Sequence, residues 1–201
     1  MHAQLSLVTP PAVEPVELAT AKAHLRVDHS TEDQDIARKI AAARRWAENF
    51  LARALITQTW RLHLDAFPFD GSPIELPMPP LQSVTHVKYR ATDGTLTTWP
   101  SASYVVDAPS GPTAGRGRLY PAYGETYPTP QDRLSAVEIQ FVAGYGDAPE
   151  DMPAEVESGL LLRLGDLYVY REDSITGTIY TDTKAAQRLL WPIRSMGWVA
   201  L

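Results

Sequence analysis

The pattern of apolar positions divides the chain into a helical beginning, a middle that alternates with period two, and a helical end. In the beginning, "VELATAKAHLRV" (16–27) follows Pro15 and predicts a first helix. Ser30 or Thr31 is a good N-cap for a second, long helix, and acidic residues follow in its first turn. Its apolar seam recurs every four or three residues, at Ile36, Ile40, Ala43, Ala47, Phe50 and Ala54.

The middle of the chain predicts antiparallel strands. "TWRLHLDAF" and "AVEIQFVAGYG" alternate between apolar and polar residues, as a half-buried strand does. "VTHVKYRATDGTLTTW" predicts a hairpin that turns at Asp93-Gly94. Prolines interrupt "IELPMPPLQ", which suits an edge strand. We therefore expect an antiparallel β-subdomain over residues 58–146.

The end of the chain predicts a broad apolar helix, a short helix and a tail. In residues 153–171 the apolar side chains cover more than half of the helix circumference, so one side suits the chain's own core and the other a neighbouring subunit. The predicted fold class is α+β: a small helical connector bundle with an inserted antiparallel β-subdomain and a C-terminal docking tail. The predicted parts are the N-terminal helical part (1–57), the β-subdomain (58–146), the C-terminal core helix (147–173), and a linker, short helix and docking tail (174–201).

Charge and composition narrow the function. The chain has 201 residues, a net charge of −6 and no cysteine, so disulfides and thiolate chemistry are excluded. The acidic balance disfavours tight DNA binding, although it suits a wall past which DNA slides. The basic group Arg38, Lys39, Arg44 and Arg45 lies on the flanks and outer face of the second helix, where it could contact phosphates or simply be solvated. The sequence has no run of apolar residues that approaches a membrane span, and we expect no membrane contact.

Candidate chemistry is sparse. The sequence has no G-x-S-x-G, Walker A, G-x-G-x-x-G or H-E-x-x-H motif. His24 and Asp28 could in principle form half a metal site, but we favour a helix-end ion pair. The acidic stretch 147–157 could bind a cation or serve a hydrolase through Asp151 and Glu155, although no nucleophile accompanies it. We therefore predict that the protein is not an enzyme and carries no cofactor, metal ion or catalytic residue.

The tail "AAQRLLWPIRSMGWVAL" carries the strongest signal for association. Trp and Arg are enriched at interface hot spots, and the tail holds Trp191, Arg194 and Trp198 among aliphatic residues. Pro192 should stop the short helix at Trp191, leaving the segment beyond it extended or turned. Composition leaves two alternatives: the tail packs on the chain's own core, or it docks on a partner.

The order of these phrases resembles the head–tail connector (adaptor) proteins of long-tailed phages and of phage-derived gene transfer agents, in the longer branch with an inserted β-subdomain. The resemblance rests on "VELATAKAHLRVDHSTEDQDIARKIAAARRWAENFLARALITQTW", "IELPMPPLQSVTHVKYRATDGT", "VEIQFVAGYG", "MPAEVESGLLLRLGDLYVYRE" and "AAQRLLWPIR". These phrases are spread over nearly the whole chain.

The resemblance implies a virion protein at the head–tail junction, assembled in the host bacterial cytoplasm. Its subunits would form a homo-oligomeric ring, commonly dodecameric, between the portal protein and the stopper, head-closure or tail-terminator protein, with DNA passing through the lumen without sequence-specific binding. A DNA-packaging accessory and a tail-completion or stopper protein are the alternatives.

The resemblance also assigns residues to two contacts. Portal docking falls to Leu189, Leu190, Trp191, Pro192, Ile193, Arg194 and Trp198. The closing "SMGWVAL" extends past the family pattern, so it could dock or pack internally. A ring subunit needs two complementary side surfaces, and we assign these to Ile36, Ile40, Ala43, Ala47, Phe50, Leu160, Leu164, Leu167 and Tyr168. A chain truncated after Gln187 should then fold but fail to attach to the portal.

Overall fold

The computed structural model describes residues 3–169 and 184–195. Within these ranges the α-helices are α1 (Leu18–Leu25), α2 (Asp33–Leu51), α3 (Ala154–Val169) and α4 (Ala185–Leu190). The strands are β1 (Ala3–Thr9), β2 (Gln58–Leu64), β3 (Ile74–Leu76), β4 (Leu81–Arg90), β5 (Leu96–Trp99), β6 (Tyr104–Asp107), β7 (Gly117–Pro121) and β8 (Val137–Ala143). Short 3-10 turns occupy Ser101–Ser103, Pro149–Asp151 and Trp191–Ile193. The predicted α+β class is confirmed.

The strands form two antiparallel sheets. The larger has the order β1-β2-β8-β4-β5, and the smaller has the order β3-β7-β6. Strand β8 lies at the centre of the larger sheet because its alternate side chains Val137, Ile139 and Phe141 are fully buried in the core of the β half. The β4–β5 hairpin and the edge position of the proline-flanked β3 agree with the sequence pattern.

Strand β1 was not anticipated. It pairs antiparallel with β2, so that Ala3 lies opposite Leu64 and Leu7 opposite Trp60. Its apolar and polar residues alternate only weakly, because β1 is an edge strand and its consecutive residues Leu7 and Val8 are both exposed. The N-terminal part of the chain is therefore not purely helical, since strand β1 precedes α1. The four-part division of the chain stays a prediction.

The helices form a second core from the two ends of the chain. The α2 seam packs with buried residues of α3 and α4, including Leu160, Leu164 and Leu190. The predicted capping residues of α2 were wrong: the N-cap is Glu32, without a side-chain cap hydrogen bond. The start of α2 is held instead by Lys22, whose Nζ lies 2.6 Å from Asp33 Oδ1, and by the Tyr168 hydroxyl, which donates to Glu32 at 2.6 Å. None of the helices in the described ranges combines the length and hydropathy needed to cross a membrane.

A buried polar network connects the two halves. Glu48 of α2 accepts hydrogen bonds from Arg44 at 3.1 Å, from the Leu55 amide at 3.3 Å and from the Gln58 side chain of β2. Arg44 also makes a two-pronged ion pair with Glu14, at 2.8 and 3.2 Å. Burial raises the pKa of Glu48 above its usual value, against the opposing effect of Arg44. The expectation that Arg44 lies on an outer face was therefore wrong, because its carboxylate partners hold it in the interior.

Candidate docking surface

The tail returns to the helical core of its own subunit as far as Ser195. Leu190 is fully buried and Ile193 is 5% exposed, and both belong to the same apolar cluster as α2 and α3. Leu190 approaches α3 at Gly159, where an added Cβ would lie 2.8 Å from Leu190 Cγ. The glycine thus provides the space in which the tail packs.

Two hydrogen bonds fix the backbone after the short helix. The Arg53 Nε donates to the Ile193 carbonyl at 2.5 Å, and the Ser195 amide donates to the Leu51 carbonyl at 2.8 Å. Residues Trp191–Ile193 form a 3-10 turn with Pro192 in its first turn. The segment therefore has more structure than the proline predicted, because the turn continues α4 without requiring the amide hydrogen that proline lacks.

Aromatic and arginine side chains form a continuous row on the surface of α2, α3 and the tail. Trp46 stacks on Phe50 with 5.6 Å between ring centroids, and the Trp191 ring follows at 6.3 Å. At one end the Arg163 guanidinium lies 5.2 Å from the Trp46 centroid. At the other end Arg194 lies 5.3 Å from Phe50 and 5.4 Å from Trp191. We call these five residues the aromatic–arginine ladder.

The ladder has the chemistry of a protein contact surface. Trp191 remains 57% exposed although its neighbours hold it in a defined position. Rigid aromatic side chains lose little conformational entropy on binding, and arginine–aromatic pairs gain strength when water is excluded. Sequence reasoning assigned Phe50 to a subunit seam and missed Trp46 and Arg163. The signal was present, because Trp46 and Phe50 are four residues apart on one helix.

The predicted portal-docking residues separate into two groups. Leu190 and Ile193 fill the chain's own core, and Leu189 is half-buried. Trp191, Pro192 and Arg194 are exposed. Trp198 lies outside the described residues. Of the set, a partner can therefore reach the exposed three, while Leu190 and Ile193 hold them in place.

The predicted subunit-interface residues also separate. Most face the interior of their own subunit: Ile36, Ile40, Ala43, Ala47, Leu160 and Leu164 are buried. Phe50, Leu167 and Tyr168 are half-buried. The exposed apolar side chains of α3 are instead Leu162, 40% exposed, and Val169, 67% exposed. They line a groove of about 450 Å³ next to His24 of α1.

The other predicted sites have structural partners. Of the basic group, Lys39 pairs with Asp35 at 2.5 Å and Arg44 is buried, which leaves Arg38 and Arg45 exposed. In the acidic stretch, Asp151 Oδ2 accepts a hydrogen bond from the Ala148 amide at 3.0 Å and so caps a turn. Within residues 3–169 and 184–195, histidine and carboxylate side chains do not gather into a group of three that could hold a metal ion.

Comparison with known proteins shows which family part of this chain is similar to. Residues 15–94 match the family described as "Phage gp6-like head-tail connector protein". This range covers α1, α2 and strands β2 to β4, and it ends in the β4–β5 turn. The resemblance noted in the sequence is thereby confirmed. No curated protein matches the chain.

Solved structures extend the likeness to the rest of the fold. A chain in "Virion of native gene transfer agent (GTA) particle" is 24% identical, with a TM-score of 0.79. A chain in "Neck of empty GTA particle computed with C6 symmetry" is 23% identical with the same TM-score, and one in "Neck of native GTA particle computed with C12 symmetry" is 22% identical with a TM-score of 0.77. In each case 98% of both chains is covered. The described part of the chain, including its two sheets, therefore has the fold of these chains.

Proposed function

We propose that this chain is a structural head–tail adaptor. Its subunits form a ring, with twelve the expected number, between the portal and the stopper or tail of a phage or gene transfer agent particle, and DNA passes through the lumen. The observation that carries the proposal is the fold likeness over 98% of the chain to neck proteins, one of them in a neck with C12 symmetry. The match of residues 15–94 to the connector family supports the same role.

We assign portal docking to the exposed part of the aromatic–arginine ladder. Trp191 and Arg194 are the residue types that dominate hot spots, and the buried Leu190 and Ile193 hold them without a partner's help. A surface that is already ordered loses less entropy on association than a tail that must fold on contact. The portal therefore meets a preformed patch.

Capture of the chain by the portal protein of the same particle tests this assignment. Trp191→Ala should weaken capture at least about tenfold, since hot-spot truncations cost about 2 kcal/mol or more. Phe69→Ala is the matched control, because this fully exposed aromatic residue lies in the loop between β2 and β3. Equal capture of wild type and Trp191→Ala would refute the assignment. Electron microscopy of the captured complex tests the ring.

We assign one side of the subunit contact to the exposed face of α3. Leu162 and Val169 form an apolar edge next to Gly165, and a second copy is the occupant that a closed ring supplies. Leu162→Asp should leave the melting temperature nearly unchanged and abolish rings on the portal. Thr98→Asp, on the solvent side of β5, is the control. Rings formed normally by Leu162→Asp would contradict this part of the proposal.

The adaptor role accounts for more of the molecule than the DNA-binding alternative does. Two of the four basic side chains proposed to contact phosphates are engaged by carboxylates, Lys39 by Asp35 and Arg44 by Glu14. The net charge of −6 opposes retention of DNA. We also propose a non-enzymatic role, because the matched family and the similar solved structures are structural components of virions.

A further inference from the structure

A pocket of about 380 Å³ lies where the tail meets the β half. Four arginines and a single glutamate line it, together with small residues of the loop before β7 and Ser195. The arginines are Arg53, Arg116, Arg118 and Arg194, and the glutamate is Glu75. Three positive charges are therefore uncompensated within the pocket of a protein that is acidic overall.

The fold brings these arginines to one pocket from different elements. Arg116 and Arg118 share one face of the chain at β7, because they are two residues apart in extended backbone. Glu75 of β3 lies directly opposite Arg118 and accepts a hydrogen bond from Arg116 Nη1 at 2.8 Å. Arg53 reaches the pocket from the end of α2, and Arg194 reaches it from the tail.

Two of the guanidinium groups hold buried nitrogens without a partner among the described residues. Arg53 is only 2% exposed; its Nε is used by the Ile193 carbonyl, and its Nη1 makes no hydrogen bond there. Arg116 Nη2 is likewise buried and unpaired within the described ranges. A buried cation without a counter-ion is costly, and burial lowers the pKa of Arg53. An anion that enters the pocket would bring a counter-charge to both guanidinium groups.

We propose that this pocket receives an acidic side chain of the protein that docks on the aromatic–arginine ladder. Guanidinium forks match the planar carboxylate in geometry. The pocket is continuous with the ladder, because Arg194 both lines the pocket and stacks on Phe50 and Trp191. The arginines converge on one cavity of side-chain size, whereas contacts to a duplex follow its phosphates along a surface. The partner's identity rests on the proposed function, but the carboxylate chemistry does not.

Titration of the labelled full chain tests the chemistry. The probes are N-acetyl-glutamate α-amide, which keeps only its side-chain carboxylate, the neutral glutamine analogue, and a short DNA duplex. The readout is the arginine Nε–Hε signals in NMR spectra. The glutamate compound should shift the signals of Arg53 and Arg116, and the glutamine compound should not. Arg116→Gln should weaken binding at least about tenfold, since a charged hydrogen bond is lost. Arg38→Gln, at an exposed arginine of α2, should bind as wild type does.

Two results of the titration overturn the proposal. One is no shift of the Arg53 and Arg116 signals with the glutamate compound; the other is a shift that the DNA duplex produces at lower concentration than the glutamate compound does. Portal capture then tests the partner. Arg116→Gln should weaken capture, and capture equal to wild type would overturn the proposed use of the pocket. Portal capture by Trp191→Ala tests separately whether the ladder docks on the portal. If the wild-type chain does not capture the portal, the proposed function fails, and the titration still decides whether the pocket binds a carboxylate.

Discussion

Leu190→Ala separates the part of the tail that belongs to the core from the part that is offered to a partner. Leu190 is fully buried, and Leu→Ala changes in cores cost about 2–5 kcal/mol. The space that the substitution leaves faces Gly159, which has no side chain that could move in to fill it. We therefore expect a loss in the upper part of that range, about 3–5 kcal/mol.

The neighbouring Trp191 provides the matched comparison. It is 57% exposed and contacts Phe50 and Arg194 at the surface, so Trp191→Ala should cost no more than about 1 kcal/mol. Since one kcal/mol shifts the melting temperature of a chain this size by about 2–4 °C, Leu190→Ala should melt about 6–20 °C below wild type. Trp191→Ala should melt within a few degrees of wild type.

Urea unfolding followed by circular dichroism measures both variants. The loss of stability in Leu190→Ala cannot exceed the free energy that holds the tail on the core. If the substitution costs more than this, the tail detaches while the rest of the structure stays folded. Hydrogen exchange of the Ser195 amide, which donates to Leu51, detects such detachment. A loss for Leu190→Ala no greater than that for Trp191→Ala would refute the reasoning, since Leu190 would then not be part of the core.

Two further predictions concern the helical half. Gly159→Ala should destabilise by about 1–3 kcal/mol in urea unfolding, because its Cβ would collide with Leu190. Gly165→Ala is the control: among the described residues, its Cβ would meet only His24, at 3.8 Å, so the change should be neutral or stabilising. Equal losses at both glycines would contradict the argument. Because burial raises the pKa of Glu48, the folded chain holds that proton more tightly than the unfolded chain. The stability of wild type relative to Glu48→Gln should therefore fall as the pH rises from 4.5, the ordinary value, through the raised folded pKa, and a flat difference would contradict this.

Local patterns in the sequence were sufficient to predict most elements. The seam from Ile36 to Phe50, the turn at Asp93-Gly94 and the alternation of Val137–Ala143 each depend on neighbouring residues, so they can be read without knowing the fold. Strand β1 could not be read in this way, because its order depends on pairing with β2, more than fifty residues later in sequence. The separation of the β part into two sheets likewise depends on distant pairing.

The candidate surfaces were only half predictable. The sequence identifies an aromatic tail, but not which of its side chains face inward, since this depends on the position of Gly159 and Arg53 in other elements. The α2 seam has the same limit: the sequence shows that its apolar face is buried, but not whether a helix of the same chain or a neighbouring subunit packs against it. The arginine pocket was missed altogether, because its members come from four separate stretches of the chain.

The helical core has a consequence for the order in which the subunit is made. It joins residues 16–56 to residues 152–193, while the β core lies within residues 54–143. During synthesis the sheet can therefore close first, and the apolar seam of α2 must wait, uncovered, until α3 and α4 have left the ribosome. The ladder and the arginine pocket both include Arg194, so neither is complete before that residue has been synthesised. A chain whose synthesis stops before Arg194 therefore lacks the surface that we propose for docking.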